Sequence, residues 1–150
     1  MSLDGFAAVG CSNLVEYLMT KPLILLADDE AHITHIMAHK LKNAGMDVLV
    51  VEDGKMALKS ALEHHPDAII TDLQMPYLSG IELAQELSKD SRCATIPIIL
   101  LTARGYTVQD QISDLPSIHK LLSKPFSAKN LLGIVNDLLT SGKDHLEKCA

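Results

Sequence analysis

No stretch of this chain approaches the roughly 20 consecutive apolar residues that a bilayer-spanning helix needs, so the sequence offers no candidate membrane span. Its first ten residues, MSLDGFAAVG, carry an acid and no Lys or Arg, unlike the basic start of a secretory signal. Three cysteines, Cys11, Cys93 and Cys149, are too few and too scattered for a disulfide framework or a zinc site. They fit a reducing compartment, and a cytoplasmic location is expected. Positive charge is also short: 13 Lys and Arg stand against 19 Asp and Glu, for a net charge of −6. That balance argues against a nucleic-acid surface, because polyphosphate binding needs a basic face. Neither G-x-G-x-x-G nor a P-loop occurs, so the two nucleotide-fold fingerprints are missing as well.

What remains is an ordinary globular composition, 47% hydrophobic and 21% charged, in a chain of 150 residues that fits one domain. Short apolar runs recur at Leu23–Ala27, Val48–Val51, Ala68–Ile70 and Ile98–Leu101, with a weaker one at Leu121–Leu122. Each is strand-sized and nearly continuous, as strands covered on both faces are. Helical spacing separates them. Ile33, Ile36, Met37, Leu41 and Ala44 form one apolar face, with Gly45 as a stop. A second helix is expected over 54–64, with Met56, Ala57, Leu58, Ala61 and Leu62 on its apolar face. A third over 80–89 places Ile81, Leu83, Ala84 and Leu87 inward. A short polar segment over 107–115 is the fourth, and the last begins at Ser127, a good N-cap, and carries Leu131, Leu132, Ile134, Val135, Leu138 and Leu139.

Five strands alternating with five helices imply an α/β fold: a doubly wound parallel sheet with helices on both faces, a three-layer sandwich. Such sheets place their sites at the carboxyl ends of the strands, beside the switch in strand order. Four of the five ends carry a polar group directly after an apolar run: Asp28 and Asp29, Asp72, Thr102, and Lys124. If these ends converge, three carboxylates meet one hydroxyl and one ammonium. Carboxylates packed so closely hold either a proton or a cation. An all-oxygen set favours a hard ion such as Mg²⁺. Lys124 and Thr102 suit a phosphoryl anion, and a carboxylate beside a metal can act as nucleophile towards phosphorus. The chemistry implied is Mg²⁺-dependent phosphoryl transfer onto an Asp.

Order and spacing also resemble a known family, the receiver domain of two-component response regulators. The matching pieces are ADDE at 27–30, TDLQMPYLSG at 71–80, LTAR at 101–104 and SKPF at 123–126, and the resemblance runs over roughly 21–140. It implies a flavodoxin-like sheet of strand order 2-1-3-4-5. It also implies Asp72 as phosphoacceptor, with Asp28, Asp29, Asp72 and the backbone carbonyl of Gln74 around Mg²⁺. Thr102 and Lys124 would contact the phosphoryl group, and Gln74 and Arg104 would tune its lifetime. The implied donor is a phosphohistidine on a sensor histidine kinase or histidine phosphotransfer protein. The output would pass to a downstream effector protein or domain, with a homodimer allowed, no direct nucleic acid and no membrane. Such a module is a phosphoacceptor with self-catalysed transfer and hydrolysis, not an enzyme with a separate substrate.

One position departs from the pattern. Three residues before Lys124, where receivers carry a rotating aromatic that works with the Thr as a switch, stands Leu121. This keeps a second reading open, a phosphorylation-independent protein-binding module on the same fold. A haloacid-dehalogenase-type enzyme would need an Asp two residues after its nucleophile, where Gln74 stands here. Asp28 and Asp29, taken alone, also fit a plain strand-to-helix loop. Glu30 is read as a first-turn acid favoured by the helix dipole and is left out of the metal set. His32, His35 and His39 lack partners in sequence for a transition-metal site. Residues 1–20 are read as an extension, with Leu14, Val15, Leu18 and Met19 suggesting a short accessory helix, and 141–150 as a polar tail.

Overall fold

The structure, a computed structural model, describes residues 21–103, 112–124 and 126–149, with side chains through residue 140. The suggested accessory helix and most of the expected fourth helix lie outside these residues. Five strands form one parallel sheet: β1 Leu23–Ala27, β2 Asp47–Val51, β3 Ala68–Asp72, β4 Ile98–Thr102 and β5 Ile118–Ser123. Their order is β2-β1-β3-β4-β5, as the resemblance implied. Four helices accompany them among the described residues: α1 Ala31–Asn43, α2 Gly54–His64, α3 Gly80–Ser88 and α4 Ala128–Cys149.

The strand sequences explain the layers. Side chains alternate across a strand, so Ile24 and Leu26 enter one core while Leu25 and Ala27 enter the other. β3 and β4 divide likewise, Ile70, Ile99 and Leu101 against Ile69, Ile98 and Leu100. The first core is closed by Met37, Ala38 and Leu41 of α1 with Leu131 and Val135 of α4. The second is closed by Ala57 and Ala61 of α2 with Ile81, Leu83, Ala84 and Leu87 of α3. A strand covered on both faces gains nothing from polar alternation, which is why β1, β3 and β4 read as continuous apolar runs.

Local signals set the helix ends. The Asp53 side chain accepts from the Met56 N–H at 2.7 Å, starting α2. Ser79 and Glu82 form a reciprocal capping box on α3. Ser127 Oγ accepts from the Asn130 N–H at 3.0 Å and starts α4. Gly45, at φ +93°, takes the left-handed conformation that stops α1.

Three apolar side chains differ from expectation. Ile36 and Met56, which the spacing counts among the apolar residues of their helices, are 55% and 51% exposed, and Ala44 is exposed at the end of α1. A 3.6-residue period marks a stripe wider than the strip that touches the sheet, and these residues lie on its margin. β5 is also longer than its Leu121–Leu122 core, because an edge strand keeps polar residues such as His119 and Lys120 on its open side. No helix among the described residues is long and apolar enough to cross a membrane.

Candidate functional site

Strand order reverses between β1 and β3: the chain leaves β1 for β2 on one side and returns to β3 on the other. Loops after β1 and β3 therefore diverge and open a cleft at their carboxyl ends. Asp28 follows β1 directly and Asp72 is the last residue of β3. Asp28 is 1% exposed and its backbone N–H is fixed by the Val51 carbonyl at 3.2 Å. Its Oδ1 accepts from the Glu30 N–H at 3.0 Å, so the buried carboxylate also ties down the entry to α1. Asp72 is 8% exposed. The Gln74 N–H approaches its Oδ1 at 3.4 Å, a long contact.

Carboxylate oxygens of Asp28, Asp29 and Asp72 lie within 4.8 Å of one another. Thr102 ends β4 buried, and the Lys124 N–H donates to its carbonyl at 2.8 Å, which seats Lys124 beside the cleft. The Lys124 ammonium then donates to Asp28 Oδ2 at 3.3 Å, Asp72 Oδ2 at 3.2 Å and Glu30 Oε1 at 3.1 Å. Asp29, Glu30, Asp72, Leu73, Gln74, Thr102, Ala103 and Lys124 line an open cleft of about 810 Å³.

Electrostatics follow from this crowding. Burial, and then the Asp28 charge, raise the Asp72 carboxyl above the usual carboxylate range against the opposing pull of Lys124. For Lys124, burial alone would favour the neutral amine. The Glu30 hydrogen bond and the Asp72 and Asp28 charges outweigh it and hold the group above the ordinary lysine range. One ammonium thus stands against four carboxylates, Asp28, Asp29, Glu30 and Asp72, of which Asp28 and Asp72 are buried. The all-oxygen trio of Asp28, Asp29 and Asp72, with surplus negative charge, fits a hard divalent cation, and Mg²⁺ keeps few protein carboxylates beside its waters.

The structure therefore brings together Asp28, Asp29, Asp72, Thr102, Lys124 and Gln74. Leu121 lies apart from the cleft, half-buried on β5 against the core under α2 and α3. Arg104 lies outside the described residues. Sequence reasoning missed Glu30. Its backbone begins α1, but its side chain makes no cap hydrogen bond and turns to Lys124 instead. No local signal marks a pair 94 residues apart.

A doubly wound sheet of this order with an acid trio and a lysine at its carboxyl edge defines a receiver-type module. The chain belongs to the response regulator receiver domain family, which matches residues 24–136, and is a phosphoacceptor signalling module of two-component phosphorelays rather than an enzyme. It is 37% identical over 119 residues to the DNA-binding dual master transcriptional regulator RpaA of Synechocystis, covering 79% of this chain and 49% of RpaA. The chain spans about half the length of the curated relatives it matches. Among solved structures it resembles the Francisella response regulator 1452 receiver domain, with TM-score 0.73 and 36% identity, covering 81% of this chain and 99% of that one. It also resembles the receiver domain of the sensor histidine kinase PA1611 from Pseudomonas aeruginosa, which holds a magnesium ion in its active-site cleft. There the TM-score is 0.72 and the identity 29%, covering 81% and 99% of the two chains.

Proposed function

We propose that Asp72 accepts a phosphoryl group in a Mg²⁺-dependent reaction, from a phosphohistidine of a sensor histidine kinase or histidine phosphotransfer protein. The observation that carries this reading is the reach of Lys124 to both Asp28 and Asp72 across the switch point. An Asp72 oxygen attacks phosphorus in line with the donor's imidazole nitrogen. The P–N bond breaks and its electron pair leaves on that ring. Lys124 and Thr102 both line the cleft; in this reading the ammonium and the hydroxyl donate to phosphoryl oxygens, where preorganised donors act most strongly. Asp28, Asp29, Asp72 and the Gln74 carbonyl would hold Mg²⁺, which when bound neutralises phosphoryl charge. Gln74 and Arg104 would tune the lifetime of the product.

Output would pass to a partner protein or an attached domain. The net charge of −6 disfavours direct contact with nucleic acid through this domain. Self-association is a further assembly to test. One observation supports a second reading, a binding module indifferent to phosphorylation: Leu121 rests against the core and has no ring to rotate. Incubation with Mg²⁺ and acetyl phosphate, followed by intact mass, separates the two. A single phosphoryl adduct, lost in Asp72→Ala and in chelator, is expected. No adduct under any condition would favour the binding module.

A further inference from the structure

Glu30 opens α1 with an extended backbone, at φ −87° and ψ 93°, yet contributes no side-chain cap. Its carboxylate reaches Lys124 at 3.1 Å. An ammonium has three N–H donors, and Asp28, Glu30 and Asp72 engage all three. A phosphoryl oxygen can take a Lys124 donor only when one of these carboxylates lets go. Asp28 has a fully buried side chain and also fixes the Glu30 N–H. Asp72 is the proposed acceptor itself. The Glu30 side chain is 44% exposed, so it loses least by returning to water.

We propose that Glu30 is a positioning residue: it holds Lys124 in the resting cleft, yields it to the incoming phosphoryl group, and so slows phosphorylation. This rests on Asp72 being the acceptor. With acetyl phosphate as donor, an Asp72 carboxylate oxygen forms the new P–O bond. The bond from phosphorus to the acetyl oxygen breaks, and its electron pair leaves as acetate. No proton is required. During the step one Lys124 N–H passes from the Glu30 carboxylate to a phosphoryl oxygen, and Glu30 turns to solvent. The exchange replaces one anion by another on the same ammonium, which gives the resting site a built-in competitor.

The test compares the parent with Glu30→Gln, Glu30→Asp and Glu52→Gln at saturating Mg²⁺. Initial rates with acetyl phosphate are read on phosphate-affinity gels, alongside beryllofluoride titrations. Glu30→Gln removes the competing charge, and Glu30→Asp keeps the charge but draws it back by one methylene. Glu52, exposed just past β2 and outside the three carboxylates on Lys124, controls for charge alone. Glu30→Gln and Glu30→Asp should both phosphorylate roughly twofold to fivefold faster and bind beryllofluoride tighter by a similar factor, as befits a partly exposed ion pair. Glu52→Gln should match the parent. A Glu30→Asp variant that behaves as the parent, or a Glu52→Gln variant as fast as Glu30→Gln, would overturn the proposal. If the parent takes no phosphoryl group, the Asp72 reading fails. If the parent is phosphorylated and Glu30→Gln is unchanged, only the role of Glu30 fails.

Discussion

Replacing Lys124 by Met removes the ammonium that meets Asp28, Asp72 and Glu30, while preserving the length of an apolar stem. The three contacts lie at 3.1–3.3 Å. At an effective dielectric near 20 each is worth about 5 kcal/mol before solvation. Most of that is offset, because the ammonium no longer has to be desolvated, at several kcal/mol. Breaking a fully buried pair costs about 3–5 kcal/mol. Lys124 keeps 16% of its side-chain exposure and Glu30 44%, so a net loss of about 2 kcal/mol is expected without metal. For a domain of this size that lowers Tm by about 4–8 °C.

The pH dependence has a definite sign. Asp72 already binds its proton more tightly than an ordinary Asp, through burial and then Asp28. Without Lys124 that tendency grows. The variant's deficit should therefore be small in acid and widen as pH rises through the Asp72 titration. Urea unfolding by circular dichroism at stepped pH, in EDTA and then in Mg²⁺, measures both effects. Mg²⁺ should return much of the loss by replacing the missing positive charge. A Lys124→Met protein as stable as the parent in EDTA at neutral pH would refute this reasoning.

Other expectations follow from single positions. A Cβ on Gly54 would run into the Leu78 carbonyl oxygen, a backbone atom that cannot rotate away. Gly54→Ala should cost roughly 1–3 kcal/mol in urea unfolding, and an unchanged midpoint would contradict the close approach. Tyr77 is held at φ +71° with 79% exposure. Tyr77→Gly should relieve strain and raise stability by about 0.5–1 kcal/mol in calorimetry, net of the entropy glycine adds to the unfolded chain. Burial raises the Cys93 thiol, so peptide-mapped thiol labelling near pH 8 should leave Cys93 unmodified until the protein unfolds. Apparent Mg²⁺ affinity should begin to fall on acidification above the ordinary carboxylate range, because Asp72 must lose a tightly held proton first. Calorimetric titrations showing constant affinity down to that range would contradict it.

The sheet was largely legible in the sequence because burial on both faces leaves a plain mark. Leu23–Ala27 and Ile98–Leu101 are continuous apolar runs that end in the polar residues of the cleft. β5 was the faintest because its edge position keeps His119 and Lys120 in solvent. Helix faces were legible to within one residue of their margins: Leu83, Ala84 and Leu87 are buried, whereas Ile36 is not. Ile36 instead lines an apolar groove with Ile33, Met37 and Phe126 beside the cleft, a groove between α1 and the chain after β5 that no local spacing encodes. Glu30 was misjudged for the same reason. Its neighbours in sequence suggest a helix start, and its backbone supplies one, but the side chain answers to a lysine 94 residues away.

The central claim concerns Asp72, and locating the phosphoryl group tests it most directly. Protein treated with Mg²⁺ and acetyl phosphate can be reduced with borohydride, which converts an aspartyl phosphate to homoserine, then digested and sequenced by mass spectrometry. Conversion at Asp72, with Asp28 and Asp29 intact and no conversion in chelator, is the predicted result. Conversion at another carboxylate, or an adduct that survives in Asp72→Ala, would contradict the assignment.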